Sequence, residues 1–268
     1  MNTQHAEDVR AGQRFAFGEN WSRFLTVLND ERVRQAEQSL CGMLQVEDLK
    51  GKTFLDIGSG SGLFSLAARR LGATVHSFDY DPQSVSCTGE LKRRYFPDDP
   101  QWVVEQGSVL DEGYISSLGL FDIVYSWGVL HHTGQMYASF SLVAPAVGPK
   151  GKLFLAIYND QRIISKYWMF VKKYYNRSAI LAILFLVIHT PYLIGGRWIA
   201  RAFTDRLSLQ RGMSLWHDML DWLGGFPFEV AKPEEVFRFF RDRGFALQDL
   251  KTCGGRMGCN EFVFYLRE

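Results

Sequence analysis

Cysteine is scarce in this chain, and neither sign of charge is in excess. The four cysteines, Cys41, Cys87, Cys253 and Cys259, are scattered and fit no CxxC spacing, which removes zinc ribbons and thioredoxin-like redox centres. They read as reduced thiols of a cytosolic protein, and CGGRMGC at 253–259 reads as a glycine-rich turn between two strands. Thirty basic side chains against twenty-nine acidic ones leave a net charge of +1. Nothing here resembles the clustered basic surface that binds nucleic acid, so a tRNA or rRNA partner is not expected. The opening MNTQHAEDVR has no apolar core and is not expected to act as a signal peptide. The longest apolar run, AILAILFLVI at 179–188, is short of the ~20 residues that cross a bilayer.

What is present is concentrated between Phe54 and Asp81, FLDIGSGSGLFSLAARRLGATVHSFDYD. Thr53 to Ile57 is apolar apart from Asp56, as in a parallel strand covered on both faces. Gly58, Gly60 and Gly62 follow, and glycines there let backbone N–H groups come close to a ligand. A helix from Leu63 to about Leu71 turns its positive end toward that loop. Gly72 stops it, and a second strand, Ala73 to Phe78, ends at Asp79. A carboxylate at that point can accept both hydroxyls of a ribose. A dinucleotide fingerprint requires GxGxxG with the helix start on a pyrophosphate, whereas here position 63 is Leu and Asp56 precedes the loop. That acid repels a pyrophosphate and suits a cationic ligand. S-adenosyl-L-methionine, with its ammonium and sulfonium, is such a ligand.

LDIGSGSG at 55–62, SFDYD at 77–81, QGSVLD at 106–111 and FDIVYSWGVLHH at 121–132 together resemble the class I S-adenosylmethionine-dependent methyltransferases. The resemblance is to the small-molecule type that includes the ubiquinone-pathway O-methyltransferases, and it covers roughly residues 50–160 well. It implies an α/β fold: a Rossmann-like seven-stranded sheet with helices on both faces, closed by a final antiparallel hairpin. It also implies S-adenosyl-L-methionine as cofactor, with S-adenosyl-L-homocysteine as product. Asp56, Gly58, Ser59, Gly60 and Gly62 are then expected at the methionine portion, Asp79 and Tyr80 at the ribose, and Ser108 and Val109 at the adenine. Many relatives carry Asp where this chain has Ser108, and Asp111 is the alternative contact. Ser126 and Trp127 are expected beside the sulfonium.

At 47% hydrophobic the chain suits one α/β domain with an insertion. Residues 1–50 are expected to form a helical cover, with Phe15, Trp21, Phe24, Leu25 and Leu28 as its apolar stripe and a second helix at Glu31–Leu44. Residues 51–159 hold the cofactor core, with further strands at Trp102–Glu105, Phe121–Ser126 and Lys152–Tyr158. Residues 231–268 complete it with an amphipathic helix at Pro233–Arg243 and strands at Ala246–Leu250 and Glu261–Leu266.

Residues 160–230 are too many for a loop and are expected to form a helical lid that shapes the acceptor site. Two readings of its apolar segment stay open: a buried lid helix, or a peripheral membrane contact through 179–200 that walls a lipidic substrate. The expected location is cytoplasmic, with membrane association if the second reading holds.

Candidate proton acceptors are His131 and His132, since an imidazole titrates near neutrality, although side chains of adjacent helical residues point about 100° apart. A second pair is His217 and Asp221, four apart in WHDMLDWLGG, where Trp216, Met219, Leu220 and Leu223 form the apolar stripe. No metal is expected, because Asp218 and Glu229 are the only further ligands at hand. The expected reaction is methyl transfer to a small-molecule, glycan or lipid-like acceptor, most readily at oxygen, with N- or S-methylation as the alternative. A non-catalytic cofactor-binding subunit and an NAD-dependent oxidoreductase are the rivals. The sequence carries no signal for oligomeric state.

Overall fold

The computed structural model describes residues 3–191, 193 and 215–267. Seven strands form one sheet: β1 (Thr53–Ile57), β2 (Thr74–Asp79), β3 (Trp102–Gln106), β4 (Phe121–Trp127), β5 (Val147–Tyr158), β6 (Phe245–Lys251) and β7 (Cys259–Leu266). Their order is β3-β2-β1-β4-β5-β7-β6. The first five run parallel, while β7 is antiparallel to both β5 and β6. The order reverses between β1 and β4, which opens a crevice at the carboxyl ends of those strands where α/β sheets hold their ligands.

Helices α1 (Thr3–Arg10), α2 (Gly18–Phe24), α3 (Asp30–Leu44), α4 (Leu63–Arg70), α5 (Pro82–Tyr95), α6 (Glu112–Ser117) and α7 (Met136–Val143) accompany the strands. Caps set their starts. Asn29 accepts from Arg32 N–H at α3, and Asp81 accepts from Gln83 N–H at α5, where Pro82 supplies the first helical φ. Two apolar layers sandwich the sheet. One gathers Leu55, Ile57, Val124, Phe140, Leu153, Phe240 and Phe264, and the other Leu40, Phe54, Leu66, Leu91, Trp102 and Phe154. The central strands are apolar on both faces for this reason.

β5 begins five residues earlier than the sequence pattern predicts. Val147 pairs with Phe121, then the register slips before Lys152 pairs with Ile123, so the extra residues form a bulge that polar Lys150 and two glycines disguise. His131 and His132 sit on a single 3-10 turn, Leu130–His132, rather than on an α-helix.

The insertion after β5 carries α8 (Ile163–Tyr175), α9 (Ala179–Thr190) and α10 (Leu215–Gly224), and α11 (Pro233–Arg241) leads into the final hairpin. Trp168, Val171, Leu193, Met219, Leu223 and Phe228 form a small separate core among them. Among the described residues no helix is long and apolar enough to cross a membrane.

Candidate active site

Asp56 stands at the carboxyl end of β1, 3% exposed, at the end of a buried hydrogen-bond chain. Trp102 Nε1 donates to Ser77 Oγ at 2.9 Å, Ser77 donates to Ser65 Oγ at 2.8 Å, and Ser65 donates to the Asp56 carboxylate. Each hydroxyl both accepts and donates, so the chain fixes where Asp56 points. Burial pushes the Asp56 carboxyl up to about 7; the Ser65 hydrogen bond opposes that shift and the nearby Asp79 adds to it.

The glycine loop crosses to β2. Gly58 and Ser59 N–H both donate to Phe78 O, at 2.9 and 3.1 Å, and Gly60 N–H donates to Asp79 Oδ2 at 2.9 Å. Gly58 and Gly60 hold φ of 78° and 55°. A Cβ on Gly58 would lie 2.4 Å from the Val129 side chain, and one on Gly60 3.0 Å from the Trp21 indole, so both conformation and space require glycine. Asp79 Oδ1 also accepts from Asp81 N–H at 2.9 Å. Burial raises Asp79 to about 6 against the two backbone donors.

These groups line one continuous cavity of about 1460 Å³, beyond the ~300–1,000 Å³ of a single-ligand pocket. Asp56, Gly58, Ser59, Gly60, Asp79, Tyr80, Ser108, Val109 and Trp127 all border it. Gly62 and Ser126, also expected at the cofactor, do not border it. Gly62 gives α4 room against α5, for its Cβ would stand 2.8 Å from Thr88 Cα. Ser126 is fully buried and donates to Ile57 O at 3.1 Å, bracing β4 on β1. Asp111 is also away from the cavity; its carboxylate caps α6 by accepting from Tyr114 N–H at 3.0 Å.

The N-terminal helices close the cavity through contacts that the sequence pattern did not reveal. Asp81 Oδ2 accepts from Gly18 N–H at 2.8 Å, and a Cβ at Gly18 would strike that oxygen at 2.6 Å. Arg14 lies over the Tyr80 ring at 4.8 Å and donates to His132 O at 3.2 Å. Phe17 and Trp21 join the lining. The partners of Arg14 and Gly18 are more than sixty residues away in the chain, and no local spacing links them.

The two adjacent histidines part company. His131 is fully buried, and its Nδ1 accepts from Tyr158 N–H at 3.3 Å with its ring 3.9 Å from the Tyr158 ring. It does not border the cavity. Burial holds it well below the ordinary histidine value, and His132 and Lys172 add to that. His132 does border the cavity. Its Nδ1 lies 2.6 Å from Pro227 O, and a carbonyl only accepts, so the proton sits on Nδ1 and Nε2 keeps its lone pair. Burial lowers this imidazole to about 3.

Beyond His132 the cavity continues into the insertion, where Tyr158, Tyr167, Trp168, His189, Met219 and Trp222 form an aromatic and apolar chamber. His189 Nδ1 is 2.7 Å from Phe185 O, and Nε2 is 2.7 Å from the Tyr167 hydroxyl. By the same reasoning Nδ1 donates to the carbonyl, and Tyr167 O–H donates to Nε2. No sequence spacing signals this pair, because its members lie twenty-two residues apart on different helices. His217 and Asp221 lie on α10, but their side chains, with those of Trp216 and Asp218, fall outside the described residues.

The arrangement suits a ligand that approaches backbone at Gly58–Gly60, presents a diol to the half-buried Asp79 and brings positive charge to it and to the buried Asp56. It also leaves room beside that ligand for a second molecule.

Comparison with known proteins agrees. The chain is 38% identical over 82 residues to a ribosomal protein L11 methyltransferase of Methylococcus capsulatus, covering 30% of this chain and 27% of that one. It is 31% identical over 112 residues to a ubiquinone biosynthesis O-methyltransferase of Xanthomonas oryzae pv. oryzae, covering 42% and 45%. The matched part is thus under half the length of these curated relatives. The fold is similar to magnesium protoporphyrin IX methyltransferase from Synechocystis PCC 6803, solved with SAH bound, at a TM-score of 0.54 and 16% identity over 87% of this chain and 83% of that one. A methyltransferase domain family model matches residues 30–213, more than half of the sequence, and the chain belongs to that methyltransferase family.

Proposed function

We propose that this methyltransferase transfers the methyl group of S-adenosyl-L-methionine to an oxygen of an apolar, lipid-like small molecule. One observation carries the reading: the cavity runs without a break from the Asp56–Asp79 glycine loop into the aromatic chamber of the insertion.

The cofactor supplies a methyl group already activated on a sulfonium. What the protein adds is binding, alignment and exclusion of water. Asp79 stands ready for the ribose hydroxyls and Asp56 for the ammonium group, and a cation beside them favours their ionised forms. Gly58 and Gly60 let the chain approach closely, while Trp21 and Phe17 roof the site. His132 offers the Nε2 lone pair to an acceptor hydroxyl. With its proton affinity lowered so far by burial, this imidazole is a poor proton sink, since a general base works best near the operating pH. Its role is to orient the hydroxyl, which favours an acceptor acidic enough to ionise readily, such as a phenol. Tyr167 and His189 supply a second polar point in a chamber walled mainly by aromatic and apolar side chains, with Gln161 and Arg256 also on the cavity; the apolar walls suit one oxygen function on a greasy body better than a glycan.

Purified protein incubated with methyl-labelled S-adenosyl-L-methionine tests this against three acceptor classes: alkyl-substituted phenols and catechols, a bulk peptide mixture, and tRNA. Label extracted into organic solvent with the phenols supports the reading, and label confined to peptide or tRNA overturns it.

A further inference from the structure

The apolar run at 179–188 is α9, and its outer side is bare. Ile180, Ile183, Leu184, Val187 and Ile188 recur at helical spacing and are 80%, 64%, 48%, 67% and 55% exposed. The inner side packs Phe185 and Leu186 against the small core of the insertion. A helix apolar all round belongs in a protein core or at a membrane. α8 extends the bare face with Ile163 at 81% and Phe170 at 54%. A contiguous face of this kind marks an interaction surface.

Charge indicates what covers it. From Gln161 to Thr204 the sequence contains no Asp or Glu, while Arg162, Lys166, Lys173 and Arg177 fall on or beside these two helices. The chain as a whole is balanced, so this stretch concentrates positive charge next to an exposed apolar face. That combination fits anionic headgroups above acyl chains. Position gives a second reason. Ile164, Tyr167 and Ile188 belong to the exposed face and also line the cavity, so the face and the mouth of the site are one surface.

We propose that the outer face of α8 and α9 docks on an anionic lipid bilayer and places the cavity mouth at its surface. The docking stands apart from the methyl-transfer reading. Only the further step, that an apolar acceptor enters from the bilayer past Ile164 and Ile188, rests on it.

Flotation of the full chain with vesicles of phosphatidylcholine alone, and of phosphatidylcholine with phosphatidylserine, tests the docking. The wild type is expected to float with the phosphatidylserine vesicles, less with neutral ones, and less again at high salt. The double variant Ile183→Asp with Val187→Asp, both exposed and away from the cavity, is expected to lose vesicle binding by about tenfold or more. Its affinity for S-adenosyl-L-homocysteine is expected to match wild type, which shows that it folds. Lys166→Glu with Lys173→Glu is expected to remove the preference for phosphatidylserine. A wild type that floats with neither vesicle overturns the proposal, as does an aspartate variant that floats like wild type. A stable dimer in light scattering without vesicle binding overturns it too, assigning the face to a second copy.

Discussion

The Asp79 carboxylate accepts the Gly60 N–H at 2.9 Å, tying the end of β2 to the loop that follows β1. One side chain therefore holds the shape of the glycine loop and presents its remaining lone pairs to the cavity. Asp79→Ala is expected to weaken S-adenosyl-L-homocysteine binding by about 2–3 kcal/mol, since hydrogen bonds to a charged group contribute ~1.5–3 kcal/mol each. Titration calorimetry of the variant reads this directly. An affinity equal to wild type would place the ribose elsewhere.

Ser65 is the middle of the chain from Trp102 to Asp56. Ser65→Ala strands the Ser77 hydroxyl and removes the one side-chain donor to Asp56 in that chain. The expected cost is about 1–3 kcal/mol of folding stability, the penalty for a buried polar group left without its partner. Chemical denaturation measures it. Ser65→Cys, a weak donor of similar size, is expected to recover part of the loss.

Asp56 and Asp79 are both raised, to about 7 and about 6, so their folded values lie above the ordinary carboxylate value of about 4. Between those limits the folded, ligand-free protein holds protons that the unfolded chain has released. Its stability is therefore expected to fall as pH rises from about 4 to 7 and to level off above. Ligand binding has the opposite trend: the ammonium of the cofactor needs the ionised carboxylates, so affinity is expected to rise as pH goes from about 5.5 to 7.5. Thermal melts with and without S-adenosyl-L-homocysteine across this range show both. Melts that shift equally at every pH would contradict the assignment.

His132 and His131 are expected to fail differently. If His132 only orients the acceptor hydroxyl, His132→Ala lowers kcat by about tenfold, the worth of one hydrogen bond, and leaves cofactor affinity unchanged. A general base would cost ~10²–10⁴. His131→Ala is expected to lower stability instead, because it empties the space of a fully buried ring packed on Tyr158 and removes an acceptor of Tyr158 N–H. Steady-state kinetics with an active phenol, paired with denaturation, separates the two.

Much of the fold was legible because its signals are local. β1, the glycine loop, α4 and β2 follow one another within thirty residues, and each is marked by an apolar run, a glycine or an acid at its end. The bulge in β5 was not, because a polar, glycine-bearing segment hides a strand that pairs through one residue. At the site, Gly62 and Ser126 carry residue types that suit ligand contact, yet backbone direction turns them toward Thr88 and Ile57. The spacing of the adjacent histidines suggests an α-helix, whereas a 3-10 turn buries His131 behind Tyr158 and leaves His132 on the cavity. Arg14, Gly18 and Trp21 meet Tyr80, Asp81 and Gly60 only through tertiary packing. The Tyr167–His189 pair is of the same kind, formed by two helices crossing rather than by any spacing along one of them.

The central claim is that the Asp56–Asp79 glycine loop holds S-adenosyl-L-methionine. Titration of the wild-type protein near pH 7.5, with S-adenosyl-L-homocysteine and separately with NADH, tests it most directly. The account predicts saturable one-to-one binding of S-adenosyl-L-homocysteine and no heat with NADH. Saturable NADH binding with no response to S-adenosyl-L-homocysteine would contradict it.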